Sequence, residues 1–133
     1  MEYRPIELKH FQVLTGKSYN GREILPSASI ELLVDGVEEK VGGEGRGPVD
    51  AMYRAVNKLG VLKDKKPVLQ RFEISSSDDG SDAIGTARVG VIENDKLYTG
   101  VGKSTDILEA ALVAYLEAIN NIRKDMYTAQ PLK

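Results

Sequence analysis

Two glycine-rich stretches stand directly before segments of helical spacing, and they are the residues of this sequence best suited to hold a ligand. The first is Gly42-Gly43-Glu44-Gly45-Arg46-Gly47, followed by Pro48. The second is Gly100-Val101-Gly102-Lys103, followed by Ser104 and Thr105. The first turn of a helix presents N–H groups without intrahelical partners and carries partial positive charge. Glycine lets a ligand approach the backbone closely. Two such ends near a pseudo-dyad suit a small carboxylate. A tight turn before a helix calls for the same glycines, so the spacing alone is equally met by a purely structural role.

Other chemistries fit less well. Gly43 to Pro48 is not a phosphate-binding loop, because no Gly-Lys-Ser/Thr follows at the required spacing. A dinucleotide fingerprint would need a βαβ unit, which the pattern below does not supply. With His10 the single histidine and no cysteine, a nucleophile or general-base constellation is hard to assemble, and a thiolate metal site, histidine cluster or disulfide is impossible. The acidic stretch Asp78-Asp79-Gly80-Ser81-Asp82 suggests calcium but lacks the closing glutamate of an EF-hand loop. It reads as a solvated connection, as does Lys63-Asp64-Lys65-Lys66.

The elements that must position the glycine loops follow from length and pattern. The chain has 133 residues, 41% hydrophobic and 29% charged, which fits one soluble globular domain. Aromatic residues make up 6%, with no Trp, so the core must rest on Val, Ile, Leu and Ala. A net charge of −2 opposes general nucleic-acid binding, which needs a basic face. The opening MEYRPIELKH carries acidic residues and no apolar run, unlike a signal peptide, and no stretch approaches the ~20 apolar residues of a membrane span. A cytoplasmic location is expected.

Residues 1–8 read as a lead-in interrupted by Pro5, and His10 to Thr15 as extended. Ala28, Ile30, Leu32 and Val34 alternate through a half-buried strand over Ser27 to Val34. Asp35-Gly36 marks a hairpin, with Val37 to Gly42 returning. Pro48 suits the first position of a helix whose apolar residues are Val49, Met52, Tyr53, Val56 and Leu59, with Gly60 as its terminator. The second half repeats the plan. Pro67 to Ser75 and Ala83 to Val91 read as strands, Asn94-Asp95 opens a turn, and Leu97 to Val101 returns. Ser104 or Thr105 is expected to cap a second helix, with Ile107, Ala111, Ala114, Ala118 and Ile122 as its buried stripe. The expectation is an α+β fold of two βββα units, about 8–60 and 66–124, with internal pseudo-twofold symmetry. Their period of ~57 residues is too long, and the copies too few, for a solenoid. Gly43 to Arg46 and Gly100 to Lys103 are expected at equivalent places.

Three segments carry a resemblance. Gly45-Arg46-Gly47-Pro48-Val49-Asp50-Ala51 resembles the motif GNGPVDA of the C-terminal regulatory domain of 2-isopropylmalate synthases. Gly80-Ser81-Asp82-Ala83-Ile84-Gly85 resembles its GTDAxG motif. Gly100-Val101-Gly102 with Thr105-Asp106-Ile107 and Glu109-Ala110 resembles its GxGxxxDIxxAS motif, with Ala111 where Ser is usual. The three stand in the family's order and, with the flanking pattern, cover residues from about 8 to 124. The regulatory domain of citramalate synthase shares the plan.

The resemblance implies two βββα units, pairing with a second copy as a homodimer, and an end-product amino acid bound near the domain interface. Leucine is the effector implied for 2-isopropylmalate synthase and isoleucine for citramalate synthase. Catalysis is implied to lie in a separate TIM-barrel domain that uses a divalent metal and condenses acetyl-CoA with a 2-oxo acid; a barrel needs ~250 residues. The chain is thus expected to be a regulatory fragment or a stand-alone form, with no catalytic residue, cofactor or metal site of its own. Carried onto matching positions, the effector site includes Val49 and Asp50, whose backbone N–H groups would face the effector carboxylate. Leu69 and Phe72 would line the apolar pocket, with Phe72 where the family often has Tyr. Ser76 stands where a small residue such as Ala is common. Ala83 and Ile107 would complete the wall, and Asp82 would position the ammonium group.

The resulting expectation is feedback inhibition by leucine in branched-chain amino-acid biosynthesis. Alternatives are isoleucine sensing, an amino-acid sensor acting on a partner in trans, a nucleic-acid module using Gly43 to Gly47, and an enzyme built on the Asp78 to Asp82 loop. Acidic charge and few aromatics oppose the nucleic-acid module, and no nucleophile or base supports the enzyme.

Overall fold

Strands of alternating apolar and polar residues, joined by tight turns, form two three-stranded sheets, each followed by a helix. The computed structural model describes residues 3–17, 20–21, 24–76 and 83–128. Its elements are β1 (Glu7–Leu14), β2 (Ser27–Val34), β3 (Val37–Glu44), α1 (Pro48–Val56), a 3-10 turn at Gly60–Leu62, β4 (Val68–Ser76), β5 (Gly85–Glu93), β6 (Lys96–Ser104) and α2 (Ile107–Thr128). The order is βββα twice, as the sequence predicts. The chain divides into two units, Glu7–Lys66 and Met1–Ile6 with Pro67–Lys133.

In the first unit the sheet order is β1-β2-β3, antiparallel throughout. The β2–β3 hairpin turns on Asp35 and Gly36, both at positive φ (52° and 82°), the geometry of a two-residue type I′ turn. Ala28, Ile30, Leu32 and Val34 are buried on one face of β2. Ala51, Met52, Ala55 and Val56 of α1 are buried with them. The other face is polar, as antiparallel sheets allow, and carries a Lys40–Glu31 ion pair of 3.1 Å.

In the second unit the order is β4-β5-β6. Asn94 and Asp95, at φ 53° and 63°, make the matching hairpin turn. Gly85, Ala87, Val89 and Val91 are buried along β5, and α2 lies over β5 and β6 through Ala110, Ala111, Ala114 and Ala118. These alanines bring the helix backbone down onto Gly100 and Gly102: a Cβ on either would stand 2.7 Å from the amide nitrogen of Ala118 or Ala114. The lead-in residues are not idle. Asn120 of α2 accepts the Ile6 N–H at 2.7 Å and donates to the Ile6 carbonyl at 3.2 Å. Arg123, 2% exposed, donates to the Arg4 carbonyl at 2.6 Å, and the Tyr3 hydroxyl donates to the Asn120 carbonyl at 3.1 Å.

Several expectations are corrected. β1 begins at Glu7, inside the expected lead-in, and β3 and β6 run on to Glu44 and Ser104. β4 and β5 start one and two residues later than expected, and β5 keeps its predicted face. In β4 simple alternation sets Leu69 opposite Phe72 and Ile74, but a register shift between Leu69 and Arg71 brings it onto their face. α1 ends at Val56 with Asn57 as its cap, before Leu59 and Gly60. Gly60 opens the 3-10 turn instead, and its N–H is taken by Glu39 at 3.1 Å. The two glycine loops also correspond differently. Gly43 meets Ala51 and Ala55 as Gly102 meets Ala110 and Ala114, so Gly43 answers to Gly102, and Gly100 to Val41.

Candidate functional site

Each half contributes its own part. In the first, the GRGPVD segment folds as a clasp around the start of α1. Gly47 is the N-cap, in extended conformation, and Pro48 occupies the first position, where a missing N–H costs nothing. No side chain caps this end. The Asp50 carboxylate turns back to accept the Arg46 N–H and the Arg54 Nε–H, each at 3.0 Å. The Arg46 N–H, then the Arg54 guanidinium, hold its carboxyl below the ordinary 3.8, outweighing the cost of partial burial. A Cβ on Gly45 would lie 2.5 Å from the same carboxylate oxygen and 2.6 Å from the Ala51 nitrogen, so the clasp closes only around glycine. Asp50 therefore shapes the loop with its side chain, while Val49 is half-buried in the first turn.

The start of α2 is built differently. Asp106 accepts the Leu108 N–H at 2.9 Å, and the Glu109 N–H lies 3.4 Å away. Its own N–H donates to Ser104 Oγ at 3.0 Å, and that hydroxyl is also bonded to Glu109. The cap is thus Asp106, and Ser104 is its buttress, correcting the expected Ser104 or Thr105. The signal was present in the sequence: Asp106 stands three residues before Glu109, a capping-box spacing.

Leu69, Phe72 and Ser76 share one face of β4, opposite Val91, Val89 and Gly85 of β5. This is the helix side of the sheet, yet α2 covers β5 and β6 and leaves β4 open. Leu69 and Phe72 are 43% and 37% exposed, and Ile74, in register with Ala87 on the same face, 38%. Ile107 is 42% exposed rather than buried in the helix stripe. It lies over the sheet end: a Cβ on Gly85 would stand 2.8 Å from its Cδ1. Since Gly85 pairs with Ser76, the structure brings Ser76 and Ile107 to one end of the strip begun by Leu69 and Phe72. Ala83 is exposed just before β5. Asp82 and the rest of the Asp78 to Asp82 loop lie outside the described residues.

Sequence reasoning missed a second clasp in this half. Asp125, near the end of α2, accepts from the Tyr98 hydroxyl at 2.6 Å and from Lys96 Nζ at 2.7 Å. Burial first, then the bond to Asp125, pushes the Tyr98 hydroxyl up to about 12. Lys96, then Tyr98, holds Asp125 below its ordinary value. The partners are far apart in sequence, so no local pattern announces them. Among the described residues no helix is long and apolar enough to cross a membrane.

The clasped loop and the capped second helix fall on the first and third motifs, and residues 1–123 match the family described as the LeuA allosteric (dimerisation) domain. The chain belongs to that family. As a LeuA allosteric (dimerisation) domain it is similar to a segment of named enzymes. It is 39% identical over 119 residues to the 2-isopropylmalate synthase of Carboxydothermus hydrogenoformans, covering 89% of this chain and 22% of that protein. It is 37% identical over 117 residues to that of Dictyoglomus turgidum, covering 87% and 22%. With that of Halothermothrix orenii it shares 37% over 125 residues, covering 93% and 23%. The LeuA allosteric domain read here thus spans less than a quarter of the length of these relatives.

Proposed function

We propose that this chain is the end-product-sensing domain of a cytoplasmic 2-isopropylmalate synthase and that leucine is its effector. The observation that supports this best is the uncovered apolar strip of β4. An antiparallel strand normally buries its apolar face, and a contiguous exposed apolar patch marks a binding surface. Here Leu69 and Phe72, with Ser76 and Ile107 at one end, form a wall suited to a branched aliphatic side chain. Ala83 joins that wall in this reading, and the role of pairing with the effector ammonium is assigned to Asp82. Within the first half, the α1 terminus, uncapped by any side chain, leaves the Val49 and Asp50 amides available to a carboxylate.

In this reading two copies pair, and leucine favours one arrangement of the pair. Only a difference in effector affinity between arrangements shifts the attached enzyme. The catalytic domain, with its divalent metal, acetyl-CoA and 2-oxo acid, belongs to the remainder of the parent enzyme.

Isothermal titration with L-leucine, L-isoleucine and L-valine tests the proposal. Saturable binding that ranks leucine first is the expected result. A preference for isoleucine would reassign the domain to a citramalate synthase. No binding to a folded chain would remove the effector reading.

A further inference from the structure

The two halves treat the outer edges of their sheets differently, and the difference exposes a second binding site. On β6, the edge strand of the second half, the Val101 N–H donates to Glu117 Oε1 at 3.2 Å, and the Thr99 carbonyl accepts from Asn121 at 2.9 Å. Side chains of α2 thus satisfy an edge that would otherwise be open to pairing.

The correspondence of Gly43 with Gly102 and of Ala55 with Ala114 places Gly42 where Val101 stands, and Lys58, in the turn just past α1, lines the groove beside Gly42. Gly42 pairs with Ser29. The Gly45 N–H bonds inward to the Pro26 carbonyl at 3.1 Å. In an antiparallel ladder alternate residues turn their N–H groups inward, so Gly43 and Gly45 donate to β2 and Gly42 points outward. The group beside it is an ammonium, which cannot accept a hydrogen bond. Where the second half has a carboxylate, the first half has a groove of about 450 Å³, lined by Gly42, Lys58, Arg54 and Glu44 among others. That volume is in the range of small-ligand sites. Arg54 engages Asp50 through Nε, which leaves the two terminal nitrogens of its fork.

We propose that this groove beside the outer edge of β3 binds a small monocarboxylate, which accepts the Gly42 N–H and pairs with Lys58 and Arg54. The ligand takes the place that the Glu117 carboxylate holds in the other half. Arg54 is already paired with Asp50, so the groove offers the single Lys58 charge and the remaining donors of Arg54, which suits a monocarboxylate better than a phosphate dianion. The site uses residues of the first half alone and is independent of the effector reading.

The test is a backbone amide NMR titration of the full chain with sodium propionate, against sodium chloride at equal ionic strength and sodium phosphate as the dianion. The Gly42 amide should move saturably with propionate and not with chloride. In Lys58→Glu the grafted carboxylate should shift Gly42 without ligand and abolish its response. Lys58→Gln, which only removes charge, should weaken binding at least threefold. The proposal is overturned if Gly42 does not respond beyond the chloride control, if the response is confined to Val49 and Asp50, or if phosphate binds more tightly than propionate. It is equally overturned if both Lys58 variants bind propionate like the parent chain.

Discussion

Gly102 of β6 lies directly beneath the backbone of Ala114 in α2, closely enough that a Cβ on the glycine would stand 2.7 Å from the Ala114 nitrogen. The contact is backbone against backbone, so neither partner can rotate a side chain out of the way. Gly102→Ala should therefore destabilise the chain by about 1–3 kcal/mol, the usual cost of overpacking. Gly60→Ala, where an added Cβ meets nothing within 4 Å, should stay within about 0.5 kcal/mol of the parent. Urea midpoints of the two variants decide the point, and equal midpoints would refute the close packing.

Asn120 offers a second prediction. Its side chain both accepts from and donates to the backbone of Ile6, much as a neighbouring strand would. Asn120→Ala removes two hydrogen bonds at about 0.5–1.5 kcal/mol each and leaves partly buried backbone groups unpaired. A loss of about 1–3 kcal/mol is expected, with faster hydrogen exchange at the Ile6 amide. Unchanged exchange there would show that the lead-in is held by other contacts.

Much of this fold is legible in local sequence. Asp35-Gly36 and Asn94-Asp95 adopt the positive φ that their turn chemistry predicts, and the alternation of β2 and β5 appears as burial on one face. What escaped local reading depends on distant partners. Leu59 is buried at helical spacing, yet the helix has already ended, and Glu39 from β3 holds the following Gly60. Ile107 keeps the spacing of the buried stripe but lies over the end of the sheet, where Gly85 leaves room. The apolar face of β4 reads as core, and only the placement of α2 over β5 and β6 shows it to be open. For the proposed effector residues, alternation sets Phe72 and Ser76 on one face, but neither the register shift that brings Leu69 to that face nor the use of the Asp50 side chain as a loop clasp was legible locally.

The cap of α2 can be tested by Asp106→Ala, expected to cost about 1 kcal/mol. Asp106→Asn keeps an acceptor for the Leu108 N–H and should recover most of that loss. If alanine and asparagine behave alike in thermal melts, Asp106 is not the cap.

The pH dependence has two limbs. Asp50 and Asp125 titrate below the ordinary 3.8 in the folded chain, so their contribution is present above that value and lost as pH falls through their folded pKa values. Tyr98 is raised from 10.0 to about 12, so its contribution is complete below 10 and lost as pH rises towards 12. Stability should be flat between the two limbs. Tyr98→Phe should shrink the alkaline limb to the part due to Tyr3, which burial also raises. It should reduce the acid limb only by the share of the Asp125 shift that Tyr98 supplies, leaving the Asp50 part in place. An alkaline limb unchanged in that variant would assign it to other groups.

The Asn120 and Arg123 contacts with Ile6 and Arg4 also bear on the order of folding. The bonded residues are separated by 114 and 119 positions, so during synthesis residues 4 and 6 wait unpaired until α2 is nearly complete. Glu7–Lys66 meanwhile contains every strand and helix of its own sheet and can close first. Contacts so distant in sequence are slow to form because the intervening loop must be closed before they return any stabilisation. Residues 4 and 6 are therefore expected to dock last, as a seal on the later-made half.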